Sequence, residues 1–219
     1  MRIDDEKQNE DYKMQGIFIS MEGPDGSGKS TQIELLKAYL KKKGYDEIII
    51  TREPGGTVIS EAIRGIILNK DFSEMSYMTE ALLYASARAQ LVSQVIKPAL
   101  EAGKAVISDR FVDSSAVYQG MARGLGVEEV YNINSYAIQG IMPQLTIHMD
   151  LPAKVGISRK KNQAELDRME LETIEFHEKV AEGYRELARR SPDRIKSIDA
   201  TQDIQTIHEI IVKYIEELL

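Results

Sequence analysis

The stretch Gly23-Pro24-Asp25-Gly26-Ser27-Gly28-Lys29-Ser30-Thr31 carries the clearest chemistry in the chain. It fits G-x-x-x-x-G-K-[ST], a loop that wraps a phosphate chain. Gly23, Gly26 and Gly28 let the backbone bend without a Cβ in the way. The amides from about Gly26 to Thr31 then point at an anion, reinforced by a helix N-terminus. Lys29 supplies a mobile point charge for β- and γ-phosphates, and Ser30 offers a hydroxyl to Mg²⁺.

Such a loop acts only if a strand leads into it and a helix leads out. Ile17-Phe18-Ile19-Ser20-Met21 reads as a buried strand, and Ile33, Leu36 and Leu40 form a helical stripe at i, i+3, i+7. Four more strand-like runs follow: Glu47–Thr51, Ala105–Asp109, Leu145–Asp150 and Arg194–Ile198. Helical patterns separate them. One runs from about Tyr77 to Glu101 with Tyr84, Arg88, Leu91 and Val95 on one face; another follows Asp167 with Phe176, Val180, Tyr184 and Leu187; the last is striped by Ile204, Ile207, Ile211, Tyr214 and Leu218. The alternation predicts an α/β fold of three layers, with a five-stranded parallel sheet covered on both faces. Ligands of such sheets gather beyond the carboxyl ends of the strands, which directs attention to the segments after Met21, Thr51, Ser108 and Met149.

Those segments hold the remaining unusual residues. Thr51-Arg52-Glu53-Pro54-Gly55-Gly56-Thr57 follows the second strand. Asp109-Arg110-Phe111 and the run to Tyr118-Gln119-Gly120 follow the third. Asp109 stands where an acidic side chain can meet Mg²⁺ and its waters, and Arg110 can reach a second phosphate. Tyr84 and Arg88 are one helical turn apart, so a ring and a guanidinium share a face; alone, that spacing equally fits core packing beside a surface charge. Ser115 and Gln119 are also four apart and present a hydroxyl and an amide in one direction. Ser158-Arg159-Lys160-Lys161-Asn162-Gln163 fits either a cationic segment closing over phosphates or a solvated helix face.

Bulk properties narrow the partners. The chain has 219 residues and a formal net charge of −7, which disfavours a polyanion such as nucleic acid while leaving room for arginines focused in a cleft. It has no cysteine, so disulfides and thiol catalysis are excluded. His148, His177 and His208 lack metal-ligand spacing. No apolar run approaches the roughly 20 residues of a membrane span, and the N-terminus lacks the basic and apolar regions of a signal peptide. The expectation is a cytoplasmic protein with a solvated, flexible extension over residues 1–14 and a single domain over 15–219.

Taken together, the Gly23–Thr31 loop, Thr51–Thr57, Leu83-Tyr84-Ala85-Ser86-Ala87-Arg88, Asp109 to Gly120 and Glu165-Leu166-Asp167-Arg168 resemble thymidylate kinase, of the nucleoside monophosphate kinase group. The resemblance implies phosphoryl transfer from ATP to dTMP with Mg²⁺, within dTTP synthesis, by a homodimer packed through helices beside the core. It implies that Asp25 contacts the sugar 3′-hydroxyl, that Arg52 and Arg110 hold the dTMP phosphate, and that Tyr84 stacks on thymine. Arg88, Ser115 and Gln119 would face the base's polar edge, and Tyr118 would lie near the sugar 2′ position. Ser30 and Asp109 would serve the metal. Members of one type carry a catalytic arginine in the loop after the acidic residue, where this chain has Gly26; the bacterial type places it in a lid, here at about 153–168. Gln163 occupies the position nearest the usual lid arginine, so Arg159, Lys160 and Lys161 are the lid cations, Arg159 foremost and Arg168 the alternative outside that cluster. Rival readings are another monophosphate or deoxynucleoside kinase, and a guanine-nucleotide switch. The switch needs N-K-x-D, which Asn69-Lys70-Asp71-Phe72 misses at its fourth position.

Overall fold

The computed structural model describes residues 16–161 and 166–219. Five strands form one parallel sheet: β1 (Ile17–Glu22), β2 (Ile48–Arg52), β3 (Ala105–Asp109), β4 (Leu145–Asp150) and β5 (Ile195–Asp199), in the order β2-β3-β1-β4-β5. β1 is central, and all six of its residues are buried. Its side chains alternate between two cores, as the pleat requires. Ile17, Ile19 and Met21 pack with Ile33, Leu36, Leu40, Ile207 and Ile211 on one face, and Phe18 packs with Leu91, Val92 and Phe111 on the other. The same alternation puts Ser20 and Glu22 on the Phe18 face, where the polar site begins.

The helices are α1 (Lys29–Lys42), α2 (Val58–Leu68), α3 (Tyr77–Leu91), α4 (Lys97–Glu101), α5 (Val112–Ser115), α6 (Val127–Ile138), α7 (Ala153–Lys161), α8 (Ile174–Arg190) and α9 (Ile204–Leu218). β1 is flanked by β3 and β4, so the chain leaves the sheet on either side of a crevice at its carboxyl edge, the place where α/β sheets bind ligands.

Three differences from the sequence reading have physical causes. The helix expected from Tyr77 to Glu101 is broken by a π-helical turn at Val92–Ile96, just before Pro98 in the first turn of α4. Proline lacks the N–H and crowds the carbonyl four residues back, and a wider turn accommodates both. The segment after β3 is helical: α5 runs directly into a π-helical stretch, Ala116–Ala122, that carries Tyr118 and Gln119. Finally, α2 and α6 have no expectation to match; α2 buries only Ser60 and Ile67 and leaves Val58, Ile59 and Ile66 exposed. Asn69–Phe72, the near-match to a guanine-binding motif, caps α2 and forms a 3₁₀ turn, away from any strand end.

Candidate active site

The phosphate loop lies between β1 and α1. Helices α2, α3, α8 and α9 are capped by the side chains of Thr57, Ser76, Thr173 and Asp203, whereas α1 begins at Gly28 with no side-chain cap and no acidic residue in its first turn. An uncapped helix start with free amides is a site for an anion. Gly28 has φ 92°, and nothing lies within 4 Å of where a Cβ would sit, so the space in front of the helix start is open. Lys29 is buried and its Nζ donates to the carbonyls of Gly23 at 3.1 Å and Pro24 at 3.0 Å, folding the charge back over its own loop. Burial and then Arg110 press its pKa down, against Asp109, Asp25 and Glu22.

Two openings meet at this loop. A cleft of about 1000 Å³ is lined by Gly26, Gly28, Lys29, Ser30, Thr31, Arg52 and Asp109. A cavity of about 780 Å³ is lined by Pro54, Leu68, Tyr84, Ser114, Ser115, Tyr118, Gln119, Asp167, Met169 and Glu170. Asp25, Glu53, Arg64 and Arg110 line both. A donor and an acceptor bound on the two sides would meet at these four residues. Pro24 and Asp25 also face α7 and His177 across a smaller opening, and Ser27 is buried within the loop.

Arg110 sits at that junction in a left-handed backbone conformation, φ 72°, uncommon for a residue with a Cβ. Its amide donates to Met21 O at 2.9 Å. Its guanidinium donates to Gly23 O at 2.6 Å, Asp25 Oδ1 at 3.0 Å and Tyr184 Oη at 3.3 Å, and lies 5.5 Å over the Tyr118 ring. Tyr184 in turn donates to Glu22 Oε2 at 3.0 Å and shares a 2.7 Å hydrogen bond with Ser114. Glu22 also accepts from Ser20 at 2.9 Å and the Phe111 amide at 2.7 Å. This buried carboxylate ties β1, the β3 exit and α8 together beneath Arg110.

The acceptor cavity has a second buried network. Arg88 is 1% exposed. Its Nε donates to Glu53 Oε2 at 2.8 Å and its Nη2 to the same oxygen at 2.5 Å; Nη2 also donates to Ser115 Oγ at 3.1 Å, and Nη1 donates to Asn134. Arg88 therefore stands behind the wall that Ser115 and Gln119 form, not on it. Because Ser115 accepts from Arg88, its own hydroxyl hydrogen remains to be donated. Burial pushes the Glu53 carboxyl up to about 7, against the pull of Arg88, and its Oε1 is buried without a hydrogen bond among the described residues. Tyr84 lines the cavity at the turn before Arg88. Burial raises the hydroxyl pKa of Tyr118 to about 12, so it is neutral at physiological pH.

Arg52 is 52% exposed and engages Glu61 at 2.9 Å and 3.0 Å; it lines the phosphate cleft but not the acceptor cavity. Arg64, one face of α2 away, lines both, anchored by a 2.9 Å bond to Pro54 O. Sequence reasoning passed over Arg64; its signal was an arginine in a helix that starts at the Thr51–Thr57 motif. Arg159 lies at the end of α7 and donates to Gly26 O at 3.0 Å. A Cβ on Gly26, φ 76°, would stand 2.8 Å from Gly156 O and 3.1 Å from the Arg159 Cβ. The absence of a side chain on the loop is what lets α7 bring Arg159 there. Arg168 is buried and committed to Glu80 and the Ile67 carbonyl, each at 2.7 Å, which removes it from the phosphate end. The side chains of Lys160 and Lys161, and Gln163, lie outside the described residues, as do residues 1–14.

For a hard cation the donors fit. Asp109 Oδ1 is buried and has no hydrogen-bond partner among the described residues, and Asp109 and Ser30 line the same cleft. One carboxylate, one hydroxyl and ligand phosphates suit Mg²⁺, which keeps several waters. No cluster of three or more His, Cys, Asp or Glu residues that could hold a metal is present among the described residues, and no helix among them is long and apolar enough to cross a membrane.

A family model for thymidylate kinase matches residues 21–211. The chain belongs to the thymidylate kinase family. It is 52% identical over 196 residues to the thymidylate kinase of Geobacillus thermodenitrificans (strain NG80-2), covering 89% of this chain and 87% of that one. To the thymidylate kinase of Geobacillus sp. (strain WCH70) it is 50% identical over 201 residues, covering 91% and 95%. The crystal structure of thymidylate kinase from Ehrlichia chaffeensis aligns with a TM-score of 0.73 at 29% identity, covering 92% of this chain and 99% of that one. As a thymidylate kinase family member, this chain is a phosphotransferase that converts dTMP to dTDP.

Proposed function

We propose that the phosphate cleft binds ATP with Mg²⁺, that the adjoining cavity binds dTMP, and that the γ-phosphate crosses at the Arg110–Asp25–Arg64 junction. The observation that carries this reading is the shared wall: among the described residues, the two openings share Asp25, Glu53, Arg64 and Arg110, all charged. In this reading the loop amides and Lys29 hold the β- and γ-phosphates. When bound, Mg²⁺, held by Ser30 and Asp109, neutralises developing charge on those phosphates. The acceptor oxygen is already anionic at neutral pH, so no strong base is needed. What the residues must offset is repulsion between two anionic nucleotides, and they do so by position and charge.

Arg110 and Arg64 face the acceptor phosphate, and Arg52, paired with Glu61, is placed to reach it only if that pair opens. Asp25, beside Arg110, orients the sugar 3′-hydroxyl. Tyr84 stacks on the base, Ser115 and Gln119 meet its polar edge with Arg88 fixing Ser115, and Tyr118 blocks a 2′-hydroxyl. Arg159 rests on Gly26, where the other type of family member has its loop arginine, and supplies the lid cation. Helices α2 and α3 leave Val58, Ile59, Ile66, Met78 and Leu82 exposed, an apolar face suited to pairing with a second copy. The chain acts in the cytoplasm.

The test is ADP release with dTMP, dUMP, UMP, AMP, GMP and ribothymidine monophosphate as acceptors. The reading expects dTMP first and a large loss for the ribose counterpart, which Tyr118→Ala recovers in part. Equal turnover of AMP or GMP would refute the base assignment.

A further inference from the structure

Behind the wall at the base end of the acceptor cavity lies a carboxylate that none of the roles above uses. Glu80 lies on α3 one turn before Tyr84 and is completely buried. Three side chains converge on it. Gln119 Nε2 donates to Glu80 Oε1 at 3.0 Å. Arg123 Nε donates to Oε1 and its Nη2 to Oε2, each at 3.2 Å, and Arg168 Nη2 donates to Oε2 at 2.7 Å. Burial pushes the Glu80 carboxyl up, but the hydrogen bonds and charges of Arg123, Gln119 and Arg168 outweigh it and hold it below the usual carboxylate range.

An ionised carboxylate only accepts hydrogen bonds, whereas an amide has one accepting and one donating end. Gln119 can therefore show Glu80 only its NH₂; the flipped amide would set two oxygens against each other at hydrogen-bond distance. This fixes the other end. Gln119 Oε1 is buried, has no hydrogen-bond partner among the described residues, and belongs to a side chain that lines the acceptor cavity. A buried acceptor left without a donor is unfavourable until a ligand brings one.

We propose that Glu80 is a specificity-determining positioning residue: by holding Gln119 Nε2 it locks Gln119 Oε1 toward the cavity as an acceptor, and so selects a pyrimidine with an N–H at that edge over one with a lone pair there. Thymine and uracil carry N3–H. Cytosine carries a bare N3 flanked by a donating amine, so it would set lone pair against lone pair. A site built to hydrogen-bond a particular group discriminates strongly against a ligand that lacks it. Arg168 extends the device. Its Nε donates to the Ile67 carbonyl at 2.7 Å and its amide to Leu68 O at 3.2 Å, so the stretch after α7 and the end of α2 both brace the carboxylate that orients Gln119. The proposal rests on the reading of this cavity as the base site.

The experiment compares kcat/KM for dTMP and dCMP in the full chain and in Glu80→Gln, Glu80→Asp and Gln119→Leu. Glu80→Gln offers an NH₂ that lets the Gln119 amide turn over. Glu80→Asp keeps a charge for Arg123 and Arg168 but withdraws it from Gln119 by one methylene, which guards against a variant that does not fold. Both are expected to lower the dTMP:dCMP ratio at least tenfold. A role confined to stability would depress both substrates together, and an unchanged ratio in folded Glu80→Asp overturns the proposal. Gln119→Leu separates the two ideas. If it lowers the ratio while both Glu80 variants do not, Gln119 reads the base without help and the proposal alone fails. If Gln119→Leu also leaves the ratio unchanged, the assignment of the cavity to the base falls with it.

Discussion

The two ends of the site are built by opposite means. The phosphate end is a short continuous stretch, Gly23 to Thr31, that offers an uncapped helix start and a lysine folded back over its own loop carbonyls. The base end is assembled from charged and polar side chains brought from distant parts of the chain: Glu53 meets Arg88, Arg88 meets Ser115 and Asn134, and Glu80 gathers Gln119, Arg123 and Arg168. A ligand that is the same in every nucleotide is met by backbone, which any sequence has. A ligand whose identity must be read is met by side chains, and those have to be held rigid by others. The difference predicts that damage to the first end stops chemistry in an intact fold, while damage to the second lowers stability and blurs recognition.

The largest effect is expected at the base end. Arg88→Ala removes the partner of a buried carboxylate and the donor to Ser115 and Asn134. Breaking a buried pair by deleting one member costs about 3–5 kcal/mol, which urea denaturation would register along with a raised KM for dTMP. A loss under about 1 kcal/mol would mean that the network is slack and that the contrast is overdrawn.

Lys29→Ala strikes the other end. The ammonium is folded over Gly23 and Pro24 rather than into the core, so turnover should fall by about two to three orders of magnitude while circular dichroism and the melting temperature stay near those of the wild type. Near-normal turnover in a folded variant would remove the loop from the chemistry.

The support beneath the phosphate end has a pH signature. His148 is buried, shares a 2.8 Å hydrogen bond with Ser197 and stacks on Tyr184 at 5.0 Å. Burial lowers its pKa from 6.5 to about 4, with Asp150 opposing. The unfolded chain therefore takes up a proton near pH 6.5, and the folded chain does so only near pH 4. Stability from this group is full above pH 6.5 and is lost as the pH falls toward 4, by at most about 3 kcal/mol. His148→Phe should flatten the decline of melting temperature over that window. An unchanged pH profile would show that His148 titrates freely.

The smallest effect sharpens the comparison within the lid. Arg159→Ala should slow single-turnover transfer more than tenfold, about 1.4 kcal/mol of barrier, with little change in dTMP affinity by calorimetry. Arginine can grip two phosphate oxygens where lysine gives one point charge. Loss of dTMP affinity without loss of rate would move Arg159 to the acceptor side.

What could be read from the chain follows the same division. β1, the loop and α1 are contiguous, and their apolar spacing with the glycine loop between them places Lys29 at a strand-to-helix turn. Strands β2 to β5 fell within a residue of their expected bounds, the inner β3 and β4 as buried runs and the edge strands β2 and β5, only partly buried, by their isoleucines. The i, i+4 spacings brought out Tyr84, Ser115 and Gln119, which line the cavity. The same spacing brought out Arg88, but not that its guanidinium is buried against Glu53 and Ser115, because a shared helical face does not say which residue is at the surface and which lies behind it. Arg64, Glu80 and Tyr184 were not singled out as site residues; Tyr184 and Glu80 gain their roles from partners remote in sequence, Tyr184 from Glu22, and Glu80 from Gln119, Arg123 and Arg168. The break at Val92–Ile96 was foreshadowed only by Pro98.

The fate of the γ-phosphate tests the account most directly. With γ-labelled ATP, Mg²⁺ and dTMP, the label should appear in dTDP in step with ADP release in the wild type, and both should slow together by about two to three orders of magnitude in Lys29→Ala. Label recovered as inorganic phosphate, with ADP formed but no dTDP, would make the loop that of a hydrolase and contradict the account at its centre.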